Sequence, residues 1–329
     1  MRRRSALLFS TACALLAALF VSVSPASAAP AVHKVIVDTD IGDDIDDAFA
    51  LGLLLASPEV EIVGITTAWG DTRLRARLVQ RLLRETGRGG IPVAFGTATT
   101  STTPFTQARW AQRGPEVEAL PPADAFIVDQ LKRHPGEITL VALAPLTNVA
   151  AALRRDPAAF KGVKRIVMMG GSVRRGYAKS VFHAPRPPDA EYNIAADVGA
   201  AQTVFAAGVE LVVMPLDSTQ LRFEETPRNA LFAQGSPLTD AIALLYHQWL
   251  DAYQPWSSAT PTLFDVLPVA WLIDPTLCPT TPLHLVVDDK GMTQETTGAA
   301  NAQVCLASDA PRAIELLMQR LRSPATAAR

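Results

Sequence analysis

The sequence is poor in the residues that most often mark a metal or thiol enzyme: three cysteines and five histidines in 329 residues. Cys13 falls inside an N-terminal apolar run, and the other two, Cys278 and Cys305, lie too far apart to form a zinc-ligand pattern. Whether these two pair is left open by the sequence. An excess of one charge is also missing. With 30 basic and 32 acidic residues and a formal net charge of −2, the chain offers neither a nucleic-acid-binding surface nor a disordered acidic tail. Internal repeats and long linkers are absent, so one domain is expected over residues 29–329.

One long apolar run is present, at the start. Arg2, Arg3 and Arg4 precede an apolar stretch over 6–23, followed by Ala26-Ser27-Ala28. That order predicts a secretory signal peptide over 1–28, cut after Ala28, with a secreted mature protein and no stable membrane anchor.

Beyond it, apolar runs at 32–37, 61–66, 92–95, 138–143, 165–169 and 210–216 alternate with helix-like stretches at 47–56, 72–85, 123–133, 147–154 and 197–206. Several runs are continuous Val/Ile/Leu without polar alternation, as expected of strands covered on both faces. Repeated strand–helix units predict an α/β fold with a mostly parallel central sheet flanked by helices, Rossmann-like in character. A helical insertion is expected over 224–252.

Against this balanced background, VIVDTDIGDDIDDAFAL begins at residue 35 and places six aspartates between Asp38 and Asp47. The stretch reads as a strand, a loop and the start of a helix. It therefore lies at the C-terminal end of a parallel strand, where open α/β sheets bind ligands. Helix capping accounts for one or two of the aspartates, not six. Clustered carboxylates without nearby His or Cys suit a hard cation, Ca²⁺ or Mg²⁺. A calcium-binding helix–loop–helix does not fit, because Phe49 takes the twelfth place counted from Asp38.

Asp38-Thr39-Asp40, Gly42 and Asp46-Asp47-Ala48 resemble the N-terminal signature of the inosine-uridine-preferring nucleoside hydrolase family. VALAPLTNVAAAL (141–153), VMMGGS (167–172), AEYNIAADVGAA (190–201), VVMPLD (212–217) and FDVLPVAWLIDP (264–275) follow in the family's order, so the resemblance spans essentially the whole mature chain. It implies hydrolysis of the N-glycosidic bond of a nucleoside or related riboside, with one Ca²⁺ holding the ribose diol and the attacking water. Carried over residue by residue, Asp40, Asp47, Asp265 and the backbone carbonyl of Leu143 would be metal ligands, and Asp46 the general base. Asp71, Met169, Glu191 and Asn193 would meet the ribose. A small-molecule partner is implied, with no nucleic acid; a homo-oligomer is compatible.

Two departures accompany the resemblance. The aspartate loop is two residues longer than the commonest form, so Asp43 and Asp44 lie in an altered loop and Asp44 could replace a ligand. Where purine-specific and uridine-active members often carry a histidine before the C-terminal aspartate, this chain has Phe264. His183 and His247 are alternative proton donors, more in keeping with surface or structural positions, and Trp249, Tyr253 and Trp256 share a helical face that could stack on a base or belong to the core. Two other functions stay open: a secreted riboside-binding protein without turnover, and a Mg²⁺-dependent aspartate-nucleophile phosphohydrolase. The latter expects Thr or Val two residues after Asp40, where Gly42 stands.

Overall fold

The computed structural model describes residues 32–116, 119–178, 186–253 and 259–323. The segment 1–28, His183 and Trp256 lie outside them. The strands are β1 (His33–Thr39), β2 (Val60–Thr67), β3 (Val93–Phe95), β4 (Ile138–Ala142), β5 (Arg165–Met169), β6 (Leu211–Met214), β7 (Thr280–Val287), β8 (Thr293–Thr296) and β9 (Ala302–Cys305). They form one sheet in the order β3-β2-β1-β4-β5-β6-β9-β7-β8. Every pairing from β3 across to β9 is parallel, and β7 and β8 add an antiparallel edge.

The expected strands and helices are present, most within one or two residues of their expected ends. The period-two rule explains the layering. Val35 and Val37 of β1 point into one apolar cluster, while Ile36 between them points into the other. Helices Asp46–Leu55, Thr72–Glu85, Pro237–Tyr253, Val266–Ile273 and Ala310–Arg322 cover the first face. Those at Ala123–Arg133, Thr147–Arg155 and Val198–Phe205 cover the second. The expected helical insertion is two helices, Glu225–Phe232 and Pro237–Tyr253. Among the described residues no helix is long and apolar enough to cross a membrane.

Three strands are not legible in the sequence. Thr280–Val287 carries Pro282, which cannot donate to a ladder, and Thr293–Thr296 reads Thr-Gln-Glu-Thr and is mostly exposed. They succeed as an edge hairpin because β8 pairs only with His284–Val287, so Pro282 has a strand partner on one side alone, Gln303 of β9. Cys278 and Cys305 form a disulfide with Cα atoms 5.7 Å apart, tying the chain before β7 to the end of β9.

Chain order reverses across the sheet at β1 and β4: β2 and β3 extend one way, β5 and β6 the other. A crevice opens beyond the C-terminal ends of strands at such a switch point. Asp40 follows β1, Leu143 follows β4 and Met169 ends β5, so the fold brings three distant segments to one place.

Candidate active site

A cavity of about 230 Å³ occupies this switch point. Its floor is acidic. Asp40, Asp46, Asp47, Glu191, Asn193 and Asp265 line it, and each is at least nine-tenths buried. One carboxylate oxygen from each of Asp46, Asp47 and Asp265 lies within 4.8 Å of the other two. Asp46 and Asp47 open the helix Asp46–Leu55, and Asp265 caps the helix Val266–Ile273 without spending its side chain on the cap. Both helix N-termini favour negative charge.

Burial is the main reason these carboxyls sit far above their ordinary range, and mutual repulsion adds to it. Asp46, Asp47 and Asp265 are all pushed well up by burial and then by neighbouring carboxylates. Asp40 is pushed up to about 8 by burial, with Asp43 and Asp46 reinforcing the rise and Arg75 opposing it. Glu191 is raised to about 7 by burial, against hydrogen bonds from the backbone N–H groups of Asn193, Gly171 and Ile194 and from the Tyr177 hydroxyl. Without a cation such a floor holds protons. An oxygen-only donor set with several buried carboxylates in mutual reach fits a hard divalent cation, whose charge would displace those protons.

Arg75 is a buried cation set against this floor, and sequence reasoning missed it. It is 1% exposed and projects from the helix Thr72–Glu85. Its guanidinium donates to the Asp40 and Ile41 carbonyls, to Trp69 O at 2.7 Å, and to both oxygens of Asp43 at 3.1 and 2.8 Å. A signal existed: Arg75 falls on the same helical stripe as Leu78, Val79 and Leu82, where an arginine must be paired to be tolerated. Gly42, with φ 127°, leaves room for the Phe105 ring, which a Cβ would strike.

The mouth is aromatic. Tyr177, Tyr192, Tyr253 and Phe264 line it with Thr103, all half-buried. Tyr177 and Phe264 meet edge-to-face, with centroids 6.1 Å apart at 81°. No described histidine lines the cavity; His247 is exposed beside Tyr246 and Phe232.

A family model described as inosine-uridine preferring nucleoside hydrolase matches residues 35–315. This chain belongs to that family. A non-specific ribonucleoside hydrolase of Salmonella typhimurium is 32% identical over 84% of this chain and 93% of its own length. A probable uridine nucleosidase of Arabidopsis thaliana is 38% identical over 56% of this chain and 60% of its own. A plant nucleoside hydrolase, PpNRh1, superposes with a TM-score of 0.77 at 26% identity, covering 89% of this chain and 99% of that one. The nucleoside hydrolase described here is thus an N-glycosyl hydrolase with a metal-compatible floor.

Most residues expected from the sequence meet in this one cavity: Asp40, Asp44, Asp46, Asp47, Met169, Glu191, Asn193 and Asp265. Two do not line it. Leu143 is buried, and its carbonyl meets the floor through Asn193, accepting from that side chain at 2.9 Å. Asp71 is exposed and caps the helix Thr72–Glu85, accepting from Leu74 N at 3.0 Å. Trp249 is buried in the core, its ring tilted against those of Tyr246 and Tyr253, whereas Tyr253 reaches the mouth. Asn148 ties the ends of β1 and β2, not loops, by donating to Asp38 at 2.8 Å and to Thr67 O at 3.1 Å.

Proposed function

We propose that this nucleoside hydrolase splits ribonucleosides into ribose and free base with a Ca²⁺ held on the acidic floor. The observation that carries the reading is the buried trio Asp46, Asp47 and Asp265, with Asp40 alongside, at the base of a cavity whose mouth is aromatic. A ribose diol is polar and suits the floor; a planar base is apolar on its faces and suits the mouth.

Breaking the glycosidic bond builds positive charge on the sugar. The floor carboxylates stabilise that charge where it develops. When bound, the cation would supply Lewis acidity toward the attacking water and a fixed point for the diol. Asp47 and Asp265, with Asp40 and the Leu143 carbonyl, are assigned to hold it. Glu191 and Asn193 orient the ribose hydroxyls, and Met169 packs beneath the sugar. Asp46 receives the proton from the water. Its place in the close trio also suits a ligand, and in that arrangement Asp40 takes the proton instead.

Release of ribose from a panel of purine and pyrimidine nucleosides, before and after chelation and calcium re-addition, tests the function. Calcium-dependent release is expected, and no release from any riboside by folded, calcium-loaded protein would remove the reading. Asp46→Asn and Asp40→Asn then divide the roles. The base variant keeps calcium affinity by calorimetry and loses turnover by about 10³-fold. The ligand variant loses affinity as well.

The N-terminal segment further supports export, and the Cys278–Cys305 disulfide is at home in an oxidising compartment. A mature N-terminus at Ala29 in the culture medium is expected. Recovery of the uncut chain from the cytoplasm would refute that assignment.

A further inference from the structure

Every main-chain carbonyl from Asp40 to Asp44 is taken by a partner outside the lengthened loop. The Arg75 guanidinium donates to Asp40 O and, at 3.0 Å, to Ile41 O. From the opposite side Gln107 N donates to Gly42 O at 3.0 Å, Thr106 Oγ1 to Asp43 O at 2.7 Å and Gln107 Nε2 to Asp44 O at 2.6 Å. A loop without bonds of its own takes its shape from whatever satisfies it. The two grips also meet each other, since the Phe105 ring lies 5.1 Å from the guanidinium carbon.

Arg75 reaches further than this loop. Its Nε donates at 2.7 Å to the carbonyl of Trp69, which stands at φ 63° and is the one non-glycine residue with positive φ among the described residues. A bulky side chain in that region is strained and persists only where its surroundings hold it. One side chain therefore pins the turns that follow two neighbouring strands, β1 and β2. Its remaining contact is the ion pair with both oxygens of Asp43, a cavity-lining residue that is 6% exposed. A counter-charge alone has the wrong sign here, because a guanidinium beside a cation site repels the ion. Asp43 offsets that charge and leaves the geometry of the fork as what Arg75 contributes.

We propose that Arg75 is a positioning residue for the cation site: paired with Asp43, its planar fork sets the main chain of the lengthened loop so that Asp40 before it and Asp46 and Asp47 after it converge on one ion. The inference rests on the calcium-dependent reading above. Arg75 does not line the cavity and acts through the loop, so its loss falls on affinity for the ion. Lysine keeps the charge, but a single ammonium cannot span the oxygens of Trp69, Asp40 and Asp43 together.

The test is calcium titration by calorimetry on the chelator-stripped mature chain, with folding of each variant checked by circular dichroism. Arg75→Lys is expected to bind calcium about 10- to 100-fold more weakly. Arg75→Gln removes a repelling charge, so a purely electrostatic role predicts tighter binding and the clamp predicts weaker binding. Asp43→Asn, which leaves the fork its three carbonyls, should lose less than Arg75→Lys. Leu82→Ala is the control: it truncates a fully buried side chain on the same helix, lowers the melting temperature, and should keep calcium affinity within about 2-fold. Affinity unchanged in Arg75→Lys, or tighter in Arg75→Gln, overturns the role. An equal loss in Leu82→Ala overturns it too, by making the effect general destabilisation, and a larger loss in Asp43→Asn does so by making Asp43 itself a ligand. If Arg75→Lys does not fold, the sign of the change in Arg75→Gln decides. Wild type that binds no calcium fails the calcium reading itself, whereas wild type that binds it alongside variants that bind it equally well fails only the clamp.

Discussion

The floor of the cavity draws on three short stretches of chain, Asp40–Asp47, Glu191–Asn193 and Asp265, whereas the mouth takes Thr103, Tyr177 and Tyr253 from separate segments and Tyr192 and Phe264 from beside floor residues. Floor residues are buried and, Asn193 apart, acidic, fixed at strand ends and helix starts. Mouth residues are half-buried aromatics that offer surface and shape. One cavity thus holds two kinds of lining, and the proposed function gives the acidic one to the reaction and the aromatic one to the base. Adjacent residues can belong to different kinds. Phe264 is mouth and Asp265 is floor.

The largest effect is expected at Asp265. Asp265→Ala removes one of the three close carboxylates, and kcat should fall by about 10³-fold with calcium affinity lost in calorimetry. Retained affinity with normal turnover would show that the floor does not act as a unit.

Beneath the floor, Asp38 tests the same contrast through pH. Its carboxyl is 2% exposed, accepts from Thr66 Oγ1 at 2.5 Å and Asn148 Nδ2 at 2.8 Å, and leaves its second oxygen without a partner. Burial raises it from 3.8 to about 6 despite those two bonds. The folded state thus holds this proton more tightly than the unfolded chain. Its contribution to stability is full below about pH 4 and is lost as pH rises through about 6, amounting to about 3 kcal/mol. In chelator-treated protein, Asp38→Asn should melt above wild type at pH 7 and alongside it near pH 4. Parallel melting curves at both pH values would remove Asp38 as the source.

At the mouth, Phe264→Ala strips the edge-to-face partner of Tyr177 without touching a carboxylate. A drop of about tenfold in kcat/KM, carried by KM, is expected with calcium affinity intact. Loss of calcium binding in this variant would erase the boundary between floor and mouth.

That boundary also marks how far the sequence could be read. The aspartates announce themselves because six carboxylates in ten positions have no structural excuse, and the strand before them fixes where they stand. Parallel strands β1 to β6 are legible because burial on both faces makes them unbroken apolar runs. Tyr253, by contrast, lies on a helical face that suits core or base stacking alike, and nothing local to Tyr177 says that it borders a cavity. Arg75 hides among the other basic residues of its helix until its face is known. The edge strands β7 and β8 fail for a further reason: their pairing is decided by β9 and the hairpin, not by their own polar, proline-bearing residues.

Asp71 gives the smallest expected effect and the sharpest test of that reading. Similarity places it against the ribose, while the structure exposes it and gives its carboxylate to Leu74 N at the start of the helix Thr72–Glu85. An N-cap of this type contributes about 1 kcal/mol. The same helix carries Arg75, so fraying at Asp71 would reach the floor only if the first turn unwound as far as the guanidinium. Arg75 is anchored independently by Asp43 and three backbone carbonyls, which isolates it from the cap. Asp71→Ala should therefore lower the melting temperature slightly and leave KM and kcat unchanged, with Asp71→Asn or Asp71→Ser restoring the loss. A several-fold rise in KM at unchanged stability would instead place this carboxylate against the substrate, and would mean that the loop after β2 closes onto the sugar when the cavity is filled.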